Sequence, residues 1–99
     1  MQSFYAATFD REMGCTEAEW LAWLPQALGH HRWRLQPGRA DVWLGEGNLQ
    51  LSWQLASPRL IGQISIPVLR VSFMFEQLDA DERYAFMQRF DLYMQRGGG

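Results

Sequence analysis

Residues 49–55 read Leu-Gln-Leu-Ser-Trp-Gln-Leu, an unbroken alternation of apolar and polar side chains. Successive side chains of a strand point to opposite faces, so this segment has one dry face and one wet face. It belongs to an antiparallel sheet packed on one side, because a sheet covered on both sides would read as a continuous apolar run. The remainder of the chain must supply neighbours for this strand and a cover for its dry face.

The neighbours lie on either side in sequence. From His31 onward Trp33 and Leu35 alternate with Arg32 and Arg34, Pro37-Gly38 makes a turn, and Val42 and Leu44 alternate with Asp41 and Trp43. Glu46-Gly47-Asn48 reads as a second turn and Ser57-Pro58 as a third. Beyond it Leu60, Ile64 and Ile66 share one parity, whereas Leu69, Val71, Phe73 and Phe75 take the other. A parity switch at Pro67 means either a turn joining two strands or a bulge in one long strand. Residues 3–9, rich in aromatics, predict an opening strand that Gly14 ends.

The cover comes from two segments with helical period. Thr16 with Glu19, and Asp79 with Glu82, have the spacing of capping boxes, in which side-chain oxygens take up the free amides of a helix start. After the first, Trp20, Leu24 and Leu28, with Leu21 beside them, form an apolar stripe. Pro25 removes an amide donor and crowds the preceding turn, which predicts a kink or two short helices before Gly29. After the second, Phe86, Met87, Phe90, Tyr93 and Met94 share a face over residues 80–95, with Arg83, Gln88, Arg89, Asp91, Gln95 and Arg96 opposite. The expected fold is α+β: a four- to six-stranded antiparallel sheet with a kinked N-terminal helix and a long C-terminal helix packed on one face. In the order of its elements it is similar to a pared-down helix-grip or TATA-binding-like fold, although the chain carries no sequence motif of either.

Ninety-nine residues suit a single domain, taken as 1–96, with Gly97–Gly99 as a flexible tail. The 47% apolar and 20% charged residues argue against disorder. A net charge of −2 gives no global field to draw nucleic acid or an anionic membrane, so nucleic-acid binding is disfavoured. All nine basic residues are Arg, a coding bias of the kind a GC-rich bacterial genome imposes. Without lysine there is no Schiff-base nucleophile and no P-loop lysine. The lone Cys15 allows no intrachain disulfide. Asp10, Arg11 and Glu12 interrupt the leading segment, and no apolar run is long enough to cross a bilayer, which together predict a cytoplasmic protein.

No chemical constellation stands out. His30 and His31 are adjacent and point apart, without the further ligands a metal site needs, so no metal or cofactor is expected. Cys15 at a helix start is a weak nucleophile candidate that lacks a Cys-His-Asn signature. The paired carboxylates Asp10 with Glu12, Glu17 with Glu19, and Asp79 to Glu82 have a capping role or none, and no catalytic residue is assigned. The wet sheet face is the best lead. Arg32, Arg34, Trp43, Gln50, Ser52, Gln54, Ser65, Arg70 and Ser72 are expected there, with Arg32, Arg34, Trp43, Gln50, Gln54 and Arg70 as the binding set. Such a face suits a second copy of the chain, or a small anionic or aromatic ligand, and Trp23 and Trp43 are candidate interface residues. Exposed strand edges also tend to pair, with Pro58, Pro67 and the arginines as guards. The expected role is thus a non-catalytic binding or homodimeric assembly module. The alternative is a small-ligand carrier or enzyme with a cavity between sheet and closing helix, lined by Met74, Met87, Phe90 and Met94.

Overall fold

The computed structural model describes residues 4–96. Five strands and two helices follow one another as β1 (Thr8–Met13), α1 (Glu17–Leu28), β2 (Arg32–Gln36), β3 (Arg39–Leu44), β4 (Gly47–Ile61), β5 (Ile64–Glu76) and α2 (Ala80–Arg96). The sheet is antiparallel throughout, in the order β1-β5-β4-β3-β2. The first strand therefore closes against the last, and β1 and β2 form the two edges. The expected Gly97–Gly99 tail lies outside the described residues.

One face of the sheet carries the core. Val42 and Ala40, Leu49, Leu51 and Trp53, and Leu69, Val71, Phe73 and Phe75 are buried on it. From α1, Trp20, Leu24, Ala27 and Leu28 pack down, and from α2, Phe86, Met87, Phe90 and Met94. Aromatic edges knit these layers: Trp20 meets Trp53 at 5.5 Å and Phe73 meets Phe90 at 5.6 Å, both in T-shaped geometry. Both capping boxes form. The Glu19 amide donates to Thr16 Oγ1 (3.1 Å) while Thr16 N donates to Glu19 Oε1 (2.9 Å), and Asp79 and Glu82 exchange the same pair at 2.8 and 2.9 Å. Helix α1 runs without interruption through Pro25, so of the two outcomes expected there, a kink or two short helices, the second does not occur. Its C-terminus is held from outside: Arg89 of α2 lies 3.5 Å from the Gln26 carbonyl, a cation at the negative end of the helix.

Three local expectations are corrected. The opening strand is Thr8–Met13 and not residues 3–9, of which Ser3 lies outside the described residues. Its inward positions are Phe9, Arg11 and Met13, and an arginine on a dry face is acceptable only because Arg11 Nη1 donates to Asp91 Oδ1 at 2.7 Å across to α2. Asp91 also accepts from Tyr5 Oη at 2.8 Å, and Arg83 donates to the Tyr5 carbonyl at 2.8 Å. Arg83 and Asp91, expected on the solvent side of α2, thus fasten the N-terminal segment. Second, the turn expected at Glu46-Gly47-Asn48 comes one position earlier, and Gly47 already opens β4.

Third, Ser57-Pro58 makes no turn. Strand β4 runs through it, and β5 runs through Pro67, until Gly62 (φ 59°) turns the chain. Ala56 pairs with Val68 and Arg59 with Ile66, so two residues, Ser57 and Pro58, stand opposite the single Pro67. This is a bulge, and it settles the parity switch. Proline gives the ladder no amide, so both prolines sit where the ladder is already broken.

Candidate functional site

The register places the expected wet-face residues in rows across the sheet. Arg32, Trp43, Asn48 and Glu76 form one row, and Arg34, Asp41, Gln50, Met74 and Thr8 the next. Arg39, Ser52, Ser72 and Asp10 follow, then Gln54, Arg70 and Glu12. All six members of the binding set (Arg32, Arg34, Trp43, Gln50, Gln54, Arg70) therefore share the face opposite the helices. Ser65 does not. It pairs with Leu60 beyond the bulge, where the parity has switched to the helix side.

The polar groups of this face are largely engaged with one another. Arg32 lies over the Trp43 ring at 4.8 Å, a cation–π contact that leaves the indole 39% exposed. Arg39 donates to Asp41 at 3.1 Å, and Gln50, with its amide oxygen turned toward it, accepts from the same guanidinium. Arg70 donates to Glu12 at 3.3 Å, with Arg59 at 3.8 Å from the other Glu12 oxygen. Among the described residues Arg34 alone of the set's three arginines has neither an ion pair nor a ring beneath it. Trp23, the other candidate interface residue, is half-buried against the core.

A different surface was not anticipated. The strand β4 has 15 residues and spans roughly 48 Å at ~3.3 Å per residue, matching the molecule's longest dimension of 47 Å. The helices have 12 and 17 residues and are about 18 and 25 Å long, too short to cover it. β3 pairs with β4 only as far as Ser52, and β1 with β5 only from Leu69. Residues 54–61 and 64–68 consequently form a two-stranded arm that projects past its neighbours. On it Leu55, Leu60, Ile61 and Ile64 are 72%, 73%, 55% and 64% exposed. Leu55 and Leu60 lie on its helix side and the Ile61–Ile64 pair on the other, and exposed aliphatics concentrated in this way mark interaction surfaces. The sequence signal was there, a run of Leu, Ile and Val with one charge, but placing a turn at Ser57-Pro58 hid its length.

Two hollows also mark the surface of the described residues. A groove of about 850 Å³ between β1 and α2 is lined by Arg11, Glu12 and Met13 from β1 and by Gln88, Arg89, Asp91, Leu92 and Gln95 from α2. A hollow of about 320 Å³ at the β2–β3 turn is lined by Leu21, Leu35, Pro37 and Trp53, and Trp53 Nε1 donates to Glu17 Oε2 at its rim (2.8 Å). The cavity expected between sheet and α2 is filled: Met87, Phe90 and Met94 are buried core residues. Met74 is not in it at all, since it pairs with Gln50 and Thr8 on the opposite face and is 42% exposed.

The remaining candidates are structural in their surroundings. Cys15 is fully buried, and burial followed by the nearby Glu19 charge pushes its thiol up, away from the reactive thiolate. The His30 and His31 rings, expected to point apart, lie together at 4.5 Å, with His31 against Phe86 at 5.8 Å, and burial holds His31 below the ordinary histidine range. Among the described residues no three His, Cys, Asp or Glu side chains converge as metal ligands, and no helix is long and apolar enough to cross a membrane. The chain matches no known protein-family model, and neither the curated proteins nor the solved structures include a significant match to it.

Proposed function

We propose that this chain is a non-catalytic binding and assembly domain that forms a homodimer through its sheet. The observation that carries the reading is the β4–β5 arm, with four large aliphatic side chains in water and strand edges that no neighbour covers. The wet face is the second contributor, through Trp43 and the unpaired Arg34, while its other arginines already hold partners. Light scattering across a concentration series tests the reading, with Leu60→Lys and Trp43→Ala beside the parent. A parent dimer that Leu60→Lys dissociates supports assembly through the arm, and one that Trp43→Ala dissociates moves the interface to the wet face. A parent that stays monomeric at millimolar concentration overturns the reading.

A second reading rests on the groove between β1 and α2. Its volume suits a small molecule, and Arg89, Gln88 and Gln95 beside Met13 and Leu92 suit a ligand with an anionic end and an apolar part, although Arg11 is already held by Asp91 and Glu12 also lines the groove. A thermal-shift screen of small carboxylates and phosphates tests it. A shift of several degrees that Arg89→Ala abolishes supports the groove, and no shift across the panel removes it.

A further inference from the structure

The free edge of β4 is nearly uncharged. Between Gln54 and Val68 the only ionised side chain is Arg59, and its guanidinium lies 3.8 Å from Glu12. Exposed edges are ordinarily guarded by charges that oppose a second strand, and here the guards on the edge are only Pro58 and Arg59, whose charge faces Glu12. We infer that two copies of the chain join edge to edge along residues 54–61 of β4, antiparallel, with Leu55 of each facing Leu60 of the other. This rests on the assembly reading above and adds its register.

The bulge dictates that register. Strands related by a two-fold axis through the sheet keep their helix-bearing faces on the same side, and directly opposed residues then share a face. In a regular strand residues 55 and 60, an odd number apart, point to opposite faces and cannot oppose one another in this way. The extra residue at Ser57-Pro58 changes this. Leu55 pairs with Leu69 on the helix side before the bulge, and Leu60 pairs with Ser65 on that same side after it, whereas Ala56 and Arg59 both lie on the wet side. Pairing 55 with 60 therefore also pairs 56 with 59, 54 with 61 and 57 with 58, each with faces matched. Shifting by one residue opposes 55 with 59 and 54 with 60, whose faces differ.

The chemistry agrees with the geometry. The dyad brings four leucines, 72% and 73% exposed in the single chain, into one stripe. Arg59 meets Ala56, so no like charges oppose. Pro58 interrupts the ladder only at the dyad, and three pairs remain on each side. The partner's arm then ends beside Trp53 and Gly38, at the mouth of the hollow lined by Leu21, Leu35, Pro37 and Trp53, which is an apolar seat for the tip.

Cysteine pairing on the full chain tests the register. Opposed residues in an antiparallel pair have Cα atoms about 4.5–5.5 Å apart, within disulfide reach, while 56 and its own symmetry mate are about 10 Å apart. Ala56→Cys and Arg59→Cys are prepared separately, checked for folding by circular dichroism, mixed and mildly oxidised, with the parent as the control for Cys15. The expected result is a disulfide-linked dimer from the mixture at least tenfold more abundant than from either variant alone, and a tenfold or greater rise in the dimer dissociation constant on Leu60→Lys. Equal cross-linking from each single variant overturns the register. So does the absence of cross-links in a protein that light scattering reports as a dimer, in which case assembly through another surface stands. A monomer at every concentration overturns both.

Discussion

Asp91 offers the sharpest test of how the N-terminal segment is held. Its carboxylate accepts from Arg11 at 2.7 Å and from Tyr5 at 2.8 Å, joining β1 and the segment before it to α2. The Arg11 and Asp91 side chains are 25% and 26% exposed, so the pair is neither buried nor free in water. Hydrogen bonds to a charged group contribute about 1.5–3 kcal/mol each when sheltered, and exposed ion pairs about 0.2–1 kcal/mol. Asp91→Ala removes these two bonds and a longer one from Arg11 Nη2 (3.5 Å), and leaves Arg11 held over the Phe73 ring at 5.2 Å, where water can still reach it. The expected loss is about 2 kcal/mol, or roughly 8–16 °C in Tm for a domain of this size. Asp91→Asn, which keeps an acceptor for Tyr5, is expected to lose about half as much. Urea unfolding at one fixed protomer concentration measures both, since dimerisation shifts apparent stability. A double-mutant cycle with Arg11→Met isolates the pair, with an expected coupling of about 1 kcal/mol. An Asp91→Ala variant within 0.5 kcal/mol of the parent, or a coupling near zero, would refute the reasoning.

Other outcomes follow from the same packing. A Cβ on residue 47 would lie 2.5 Å from the Glu76 carbonyl and 2.6 Å from that of Gln77, so Gly47→Ala should cost about 1–3 kcal/mol in denaturant unfolding. The folded pKa of His31 is lowered by burial, so its contribution is present above pH ~6.5 and is lost as pH falls through the depressed value; His31→Gln should flatten the acid side of a stability–pH curve. Tyr5 has the opposite sign. Its phenol is raised by burial and by its bond to Asp91, so its contribution is present below pH ~10 and is lost as pH rises beyond the folded value, a loss that Tyr5→Phe should abolish. Cys15 should react with a thiol reagent only at the rate of unfolding, and fast labelling of native protein at pH 8 would contradict its burial.

Much of this architecture was legible in the chain because it rests on local rules. The alternation of residues 49–55 determined which face of β4 is dry, the two capping boxes determined where the helices begin, and Pro37-Gly38 determined a hairpin. The wet-face membership of Arg32, Arg34, Trp43, Gln50, Gln54 and Arg70 followed from parity, which needs only the correct strands. What those residues do to one another did not follow. Whether an arginine is free or spent depends on cross-strand partners such as Glu12, which takes up both Arg70 and Arg59, and those are set by register between segments far apart in sequence.

Tertiary structure decided the rest. Arg11 looked like an interruption and is an inward residue of β1, because its counter-ion comes from α2, eighty residues away. Ser57-Pro58 looked like a turn and Pro67 like either a turn or a bulge, and the two became opposite sides of a single bulge once the strands were paired. The arm exists for the same reason. The sequence alone makes these strands long and apolar, but only the lengths of the helices and the ends of β1 and β3 leave Leu55, Leu60, Ile61 and Ile64 uncovered, because burial belongs to the assembled chain and not to any segment of it.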